Sequence, residues 1–177
     1  MSETTARHKA EAPKILNFAV VICSTSRHRE FLEIGHYSDP SGDLIVRTVK
    51  SNGHRVTSRR IAPDDKSEIQ RVILKALKSR KTDVIVTSGG TGISPTDVTI
   101  EAVQPLLEKE VPGFGELFRT ISYKRIGSAA VLTRSIAGVA RGKVIFCLPG
   151  SPQSVSLALE ELVLPEAGHI LKHARER

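Results

Sequence analysis

Residues 83–103, DVIVTSGGTGISPTDVTIEAV, constrain this chain more than any other stretch. Val84, Ile85, Val86 and Thr87 read as a short strand buried on both faces. Ser88-Gly89-Gly90-Thr91-Gly92 follow at once, then a turn through Ser94-Pro95-Thr96, then a helical pattern from Asp97. A strand that ends in glycines and opens onto a helix is where open α/β sheets hold ligands. Glycine lets the backbone come close to an anion, and its free N–H groups can cradle phosphate. The segment is not a P-loop, since no Lys follows the glycines, and it is not a dinucleotide fingerprint. Its chemistry must therefore be argued from Asp97 and from the rest of the chain.

The strand-then-helix order recurs on either side. Residues 15–23 are almost continuously apolar and predict a central first strand, while residues 24–39, rich in Ser, Arg and His, read as a loop. Ser41-Gly42-Asp43 starts a helix, with Ser41 as N-cap, that runs to about residue 51 and stops at Asn52-Gly53. Residues 56–61 alternate as a second strand. Pro63-Asp64-Asp65 then introduce an amphipathic helix with Ile69, Val72, Ile73, Ala76 and Leu77 on one face. The helix from about Asp97 is interrupted or kinked by Pro105. Residues 112–115 read as a turn, and residues 116–123 as a helix offering Leu117, Phe118 and Ile121 to the core. Residues 129–133 look strand-like, and residues 143–148 form the last clear strand. It runs into Pro149-Gly150-Ser151-Pro152, where Ser151 suits an N-cap and Pro152 the first helical position. The closing helix carries Val155, Leu157, Leu159 and Leu162, with a separate short helical turn around residues 169–171.

This alternation predicts an α/β fold: one doubly wound, mostly parallel sheet with helices on both faces. Residues 1–13, polar and aperiodic, are expected to form a flexible tail, and residues 14–177 a single domain. Right-handed crossovers bring the turns that follow parallel strands to one sheet edge. The turns at Ser24, Pro63-Asp64, Gly89 and Gly150 should therefore converge there.

Composition narrows the function classes. A chain of 177 residues buries a core without staples. The longest apolar run, 15–23, is too short for a bilayer, and no signal-peptide order opens the chain, so a cytoplasmic protein without a membrane partner is expected. Cys23 and Cys147 lie in apolar runs and read as buried free thiols. The net charge of +7 invites a nucleic-acid partner. The cations are scattered, however, and there is no Trp to interleave with them. Attraction of small anions explains the sign, and no nucleic-acid partner is expected. The six histidines show no zinc-ligand spacing, and neither Ser88 nor Ser151 sits in a G-x-S-x-G elbow.

Asp64, Asp65 and Asp97 are carboxylates at strand-to-helix turns. Oxygen donors of this kind suit Mg²⁺. An isolated Asp at a helix start is usually a cap or a dipole partner, and Asp65 reads as no more than that. Asp64 and Asp97 gain meaning as a pair, because the fold brings their turns to one edge. Loop amides would then hold phosphate while carboxylates hold the metal that neutralises it.

With these segments in view, the chain resembles the MoaB/MogA family of molybdenum cofactor biosynthesis proteins, whose domain also occurs in gephyrin. The likeness spans about residues 17–164. It rests on Asp39-Pro40-Ser41-Gly42, Pro63-Asp64-Asp65, Ser88-Gly89-Gly90-Thr91-Gly92 with Asp97-Val98-Thr99, Pro112-Gly113-Phe114-Gly115-Glu116, and Leu148-Pro149-Gly150-Ser151-Pro152, in that order. The resemblance implies binding of the pterin dithiolene molybdopterin and, in active members, its adenylylation by Mg-ATP with release of pyrophosphate. Carried over to this chain, Asp64 and Asp97 are the catalytic and Mg²⁺-binding positions. Nucleotide or pterin binding falls to Ser24, Asp39, Ser41, Gly42, Thr87, Ser88, Gly89, Gly90, Thr91, Gly92, Glu116, Pro149, Gly150 and Ser151. Within that set, the 89–92 loop would receive the nucleotide phosphates, and the Gly150-Ser151 turn would help hold the pterin phosphate. A homotrimer or homohexamer is also implied.

Residues 135–139 resemble the B-type branch. The chain keeps Pro63-Asp64-Asp65, which favours activity, but has Ser24-Thr25 where the family usually has Ser-Asp. That departure motivates the alternative of a non-catalytic molybdopterin-binding or scaffold protein. A CinA-like nucleotide pyrophosphatase is disfavoured by Thr91 and by the single Asp97.

Overall fold

A computed structural model describes residues 11–176. The tail expected over residues 1–13 thus lies outside the described residues as far as residue 10. Beyond it, Ala12 and Pro13 lie against Gly168, and Glu11 pairs with Lys172.

The strands are β1 (Asn17–Cys23), β2 (Arg55–Ala62), β3 (Val84–Ser88), β4 (Lys109–Glu110), β5 (Ile136–Ala140) and β6 (Lys143–Leu148). They form one sheet in the order β2-β1-β3-β6-β5-β4. β2, β1, β3 and β6 run parallel; β5 runs antiparallel to β6, and β4 antiparallel to β5. The helices are α1 (Thr25–Ile34), α2 (Pro40–Ser51), α3 (Lys66–Lys78), α4 (Thr99–Val103), α5 (Pro112–Ile126), α6 (Pro152–Ala158) and α7 (Leu164–Arg175). This is the α/β architecture the alternation predicts, with a mixed edge.

Alternation along the strands sorts side chains into two cores. Phe18, Val20 and Ile22 of β1 join Val84, Val86, Val144, Phe146 and Leu148 beneath α2, α5, α6 and α7. Ala19, Val21 and Cys23 face the other way with Ile85, Ile145 and Cys147, under Ile69, Ile73 and Leu77 of α3 and Ile100 of α4. Each large apolar side chain taken from water contributes about 1.5–3 kcal/mol. A one-residue slip of register would turn these sets inside out. Among the described residues no helix is long and apolar enough to cross a membrane.

Several local expectations are corrected. Residues 25–34 are helix α1 rather than loop: Ser24 caps its start, Gly35 ends it in the left-handed region, and none of its residues is buried. A helix without a buried stripe carries no apolar period to read. Asp39, not Ser41, caps α2, since its carboxylate accepts from the Gly42 N–H. The helix expected from Asp97 begins at Thr99; as expected it is interrupted at Pro105, which lacks a backbone donor and sits in a 3₁₀ turn, Gln104–Leu106. Residues 112–115 are the first turn of α5 itself, and Leu117 points outward, 55% exposed. Residues 129–133 lie largely in a 3₁₀ segment, Gly127–Leu132, and the strand there is β5. β5 returns to β6 through Arg141-Gly142, both at positive φ as a two-residue hairpin turn requires. The closing helix and the segment around residue 169 are continuous, joined by a π-helical stretch, Leu159–Val163.

Candidate functional site

Strand order reverses between β1 and β3, because chain connections leave β1 toward β2 on one side and reach β3 on the other. In open α/β sheets the crevice beyond the carboxyl ends of strands at such a point is where ligands sit. The turns after β1, β2, β3 and β6 do meet there. The Ser24 N–H donates to the Ala62 carbonyl and the Gly89 N–H to the Leu148 carbonyl, at 3.0 and 3.1 Å. Ser88 Oγ donates to the Pro149 carbonyl at 3.0 Å, and Ser41 Oγ to the Gly150 carbonyl at 2.7 Å. The second of these bonds ties the start of α2 to the turn before α6, where Ser151 is the N-cap.

The glycine loop fits this crevice because its backbone is pressed against β1. Gly89 has φ +100, and a Cβ there would lie 2.3 Å from the Cys23 carbonyl oxygen. Thr99 closes the loop from α4: its Oγ1 donates to the Gly89 carbonyl and its N–H to the Gly90 carbonyl, both at 2.9 Å.

Two carboxylates flank this loop. Asp64 Oδ2 accepts from the Thr25 N–H at 2.8 Å and from Thr25 Oγ1 at 2.9 Å, while the Asp64 N–H donates to Thr25 Oγ1 at 2.9 Å. Asp64 Oδ1 faces Gly90, 3.2 Å from where a Cβ would stand. Asp97 Oδ2 accepts from the Ser94 N–H at 2.9 Å and presses on Gly92, whose Cβ position is 2.6 Å away. Both side chains are half-buried, open enough to meet a ligand. Asp65 does what a helix-start Asp commonly does: it caps α3 by accepting from the Glu68 N–H.

Arg134 holds the far side of the loop. Its Nε donates to the Thr91 carbonyl and its Nη2 to the Asp97 carbonyl, each at 3.2 Å. Its Nη1 reaches Glu101 Oε1 at 2.6 Å. Hydrogen bonding from this guanidinium holds the Glu101 carboxyl below its ordinary value.

Other expected site residues stand differently. The Asp39 side chain is fully buried, and its Oδ2 is engaged by Arg59 Nη2 at 2.7 Å, so it organises the start of α2. Thr87 is fully buried within β3 beside its register partner Cys147. Glu116 lines a separate recess of about 170 Å³ with Arg119 and Ser135. A larger groove of about 420 Å³ between β2 and α3, bordered by Arg60, Arg71, Lys75 and Lys81, contains none of the expected site residues. Burial pushes the Cys23 and Cys147 thiols up to about 12 each, which makes them inert core side chains rather than nucleophiles.

Thr99 and Arg134 are contributors that sequence reasoning passed over, and Thr25, read there only as a departure from the family's Ser-Asp, is a third. Thr25 was visible as the second residue of the turn after β1, and Thr99 as part of the Asp97-Val98-Thr99 run. Arg134 gave no signal, being one cation in a segment without periodicity.

Comparison with known proteins adds the family. Residues 19–169 match the family described as a probable molybdopterin binding domain. A protein of Bacillus cereus named molybdenum cofactor biosynthesis protein B is 47% identical over 168 residues, 94% of this chain and 95% of that protein. One of Pyrococcus furiosus named molybdopterin adenylyltransferase is 45% identical over 173 residues, covering 96% of this chain and 97% of its own. The crystal structure of the tungsten cofactor synthesizing protein MoaB from Pyrococcus furiosus superposes with a TM-score of 0.83 at 44% identity. It covers 93% of this chain and 100% of that one. With the switch-point crevice, the glycine loop and its two flanking carboxylates in place, the chain belongs to the MoaB/MogA family of molybdenum cofactor biosynthesis proteins.

Proposed function

We propose that this chain is a molybdopterin adenylyltransferase, moving AMP from ATP to the terminal phosphate of molybdopterin and releasing pyrophosphate. The observation that carries the reading is the approach of Asp64 and Asp97 to one short glycine loop, at Gly90 and Gly92. The name of the Pyrococcus relative, molybdopterin adenylyltransferase, supports it, and that of the Bacillus relative supports a place in molybdenum cofactor biosynthesis.

Carboxylate oxygens are the donors Mg²⁺ prefers, so Asp64 and Asp97 would hold it. When bound it would supply neutralising charge to the phosphates of ATP. The backbone N–H groups of residues 90–92 are in this reading the phosphate cradle, that of Gly89 being held by the Leu148 carbonyl. The N-termini of α2 and α6, joined through Ser41 and Gly150, offer a second cradle for the pterin phosphate. A phosphate monoester is already ionised near neutral pH, since its second pKa is about 6, so no general base is required. One of its oxygens attacks the α-phosphorus. The new P–O bond forms as the bond to the pyrophosphate oxygen breaks, and the electron pair leaves with pyrophosphate. The chain's part is alignment and charge stabilisation.

The scaffold alternative drew on Thr25 in place of an acid. The three hydrogen bonds joining Thr25 to Asp64 support instead an intact acidic site. The proposal extends to a cytoplasmic homotrimer or homohexamer; Leu117, Ile126, Val131 and Leu132 are exposed apolar side chains on α5 and the 3₁₀ turn after it. The test is incubation with molybdopterin and Mg-ATP, following pyrophosphate and adenylylated pterin. Wild-type protein should form both, while Asp64→Asn and Asp97→Asn keep their melting temperature and lose turnover by at least a hundredfold. A wild-type protein that binds molybdopterin yet releases no pyrophosphate would refute catalysis.

A further inference from the structure

We infer that Thr25 is a positioning residue that fixes the orientation in which the Asp64 carboxylate presents one oxygen to the ligand crevice. The inference rests on the proposed role of Asp64 as a metal-holding carboxylate. Asp64 lies in the irregular stretch between β2 and α3, so neither a strand ladder nor a helix fixes its side chain. Thr25, at the first position of α1, supplies what the turn lacks. Its backbone N–H and its hydroxyl both donate to Oδ2, at 2.8 and 2.9 Å. The hydroxyl also accepts from the Asp64 N–H at 2.9 Å.

A hydroxyl has one proton and two lone pairs. Here the proton goes to the carboxylate and a lone pair receives the amide of the same residue. The two residues thus close a ring of hydrogen bonds that fixes the plane of the Asp64 carboxylate: a half-turn only exchanges its two equivalent oxygens, and any smaller rotation breaks the ring. Oδ2 is occupied by two donors, and Oδ1 is left facing Gly90, 3.2 Å from where a Cβ would be. Thr25 is exposed, so water can compete for each bond singly. The consequence of losing the hydroxyl is therefore lost alignment of the carboxylate more than lost stability. A residue that only filled space at this position would act through none of these atoms.

The test separates the hydroxyl from the shape of the side chain. Thr25→Val keeps the shape and removes Oγ1, Thr25→Ser restores it, and Thr25→Ala guards against a packing defect of the β-branched variant. Two quantities are read: Mn²⁺ binding in the presence of ATP, by electron paramagnetic resonance, and kcat and KM for pyrophosphate release. Outer partners of metal-holding residues typically alter affinity or activity by about 10–100-fold. Thr25→Val and Thr25→Ala should weaken Mn²⁺ binding and lower kcat by about tenfold or more, with KM for molybdopterin unchanged, while Thr25→Ser stays within about threefold of wild type. Wild-type Mn²⁺ affinity in Thr25→Val, or a serine variant as weak as the alanine one, would overturn the assignment. If wild-type protein releases no pyrophosphate, the adenylyltransferase reading fails by itself, and the Mn²⁺ titration still decides the role of Thr25.

Discussion

Replacing Gly89 by Ala should destabilise the fold by about 4 kcal/mol, the sum of two separable terms. A non-glycine residue held at φ +100 pays roughly 1–3 kcal/mol of backbone strain. The new Cβ would also lie 2.3 Å from the Cys23 carbonyl oxygen, where contacts under 3.0 Å essentially never occur. Cys23 ends β1 and is paired there with Ala62 of β2, so the oxygen cannot swing away as a flexible side chain would. Relieving such overpacking adds about 1–3 kcal/mol. Gly53→Ala isolates the first term, because Gly53 has φ +80 and nothing lies within 4 Å of its Cβ position. That control should cost about 1–2 kcal/mol. Urea denaturation of the two variants beside wild type gives both numbers. For a chain of this length about 4 kcal/mol corresponds to a fall in melting temperature of roughly 8–16 °C. If the two alanine variants were equally stable to within about 0.5 kcal/mol, the argument that close approach of the loop to β1 requires glycine would be refuted.

Two further outcomes follow from ion pairs at opposite ends of the molecule. Burial alone would raise the Asp83 carboxyl, but hydrogen bonds from Arg175 and from the side chain and backbone of Asn17 outweigh it and hold it below its ordinary value. A carboxyl depressed in the folded state stabilises above its unfolded pKa, and that stability is lost as pH falls through the folded value. Asp83→Asn should therefore cost about 1 kcal/mol at pH 7 after solvent screening, with urea midpoints converging on wild type in acid; a constant gap across that range would disprove the linkage. At the ligand edge, Arg134→Gln removes the Glu101 pair and weakens the hold on the Thr91 and Asp97 carbonyls. Amide hydrogen exchange over residues 91–97 should quicken at least tenfold, with Arg134→Lys recovering only part of the protection because it lacks the planar fork; unchanged exchange would show that the loop holds itself.

What was legible in the sequence is what local chemistry writes into a chain. The 3.6-residue stripe of α3, the unbroken apolar runs of β1, β3 and β6, and the capping Ser151-Pro152 pair could all be read in place. So could the glycines after β3, because a glycine run between a strand and a helix has few other uses. Asp64 and Asp97 could be singled out once right-handed connections put their turns at one edge.

Elements whose identity depends on distant partners were not legible. Helix α1 buries no residue and so writes no period. β5 is short and rich in small residues, and it becomes a strand by pairing with β6. Leu117 looks like a core residue until the rotation of α5 against the sheet turns it outward. The same division runs through the site. The sequence by itself determined that carboxylates and glycines would gather at the strand ends, since topology and backbone sterics demand only order and residue type. Only the tertiary structure decided that Thr25 grips one oxygen of Asp64, that Asp39 is consumed by Arg59, and that Arg134 clasps the loop from behind. Those roles are set by distances of about 3 Å between residues far apart in the chain, and hydrogen bonds that short leave no trace in the spacing of the residues that make them.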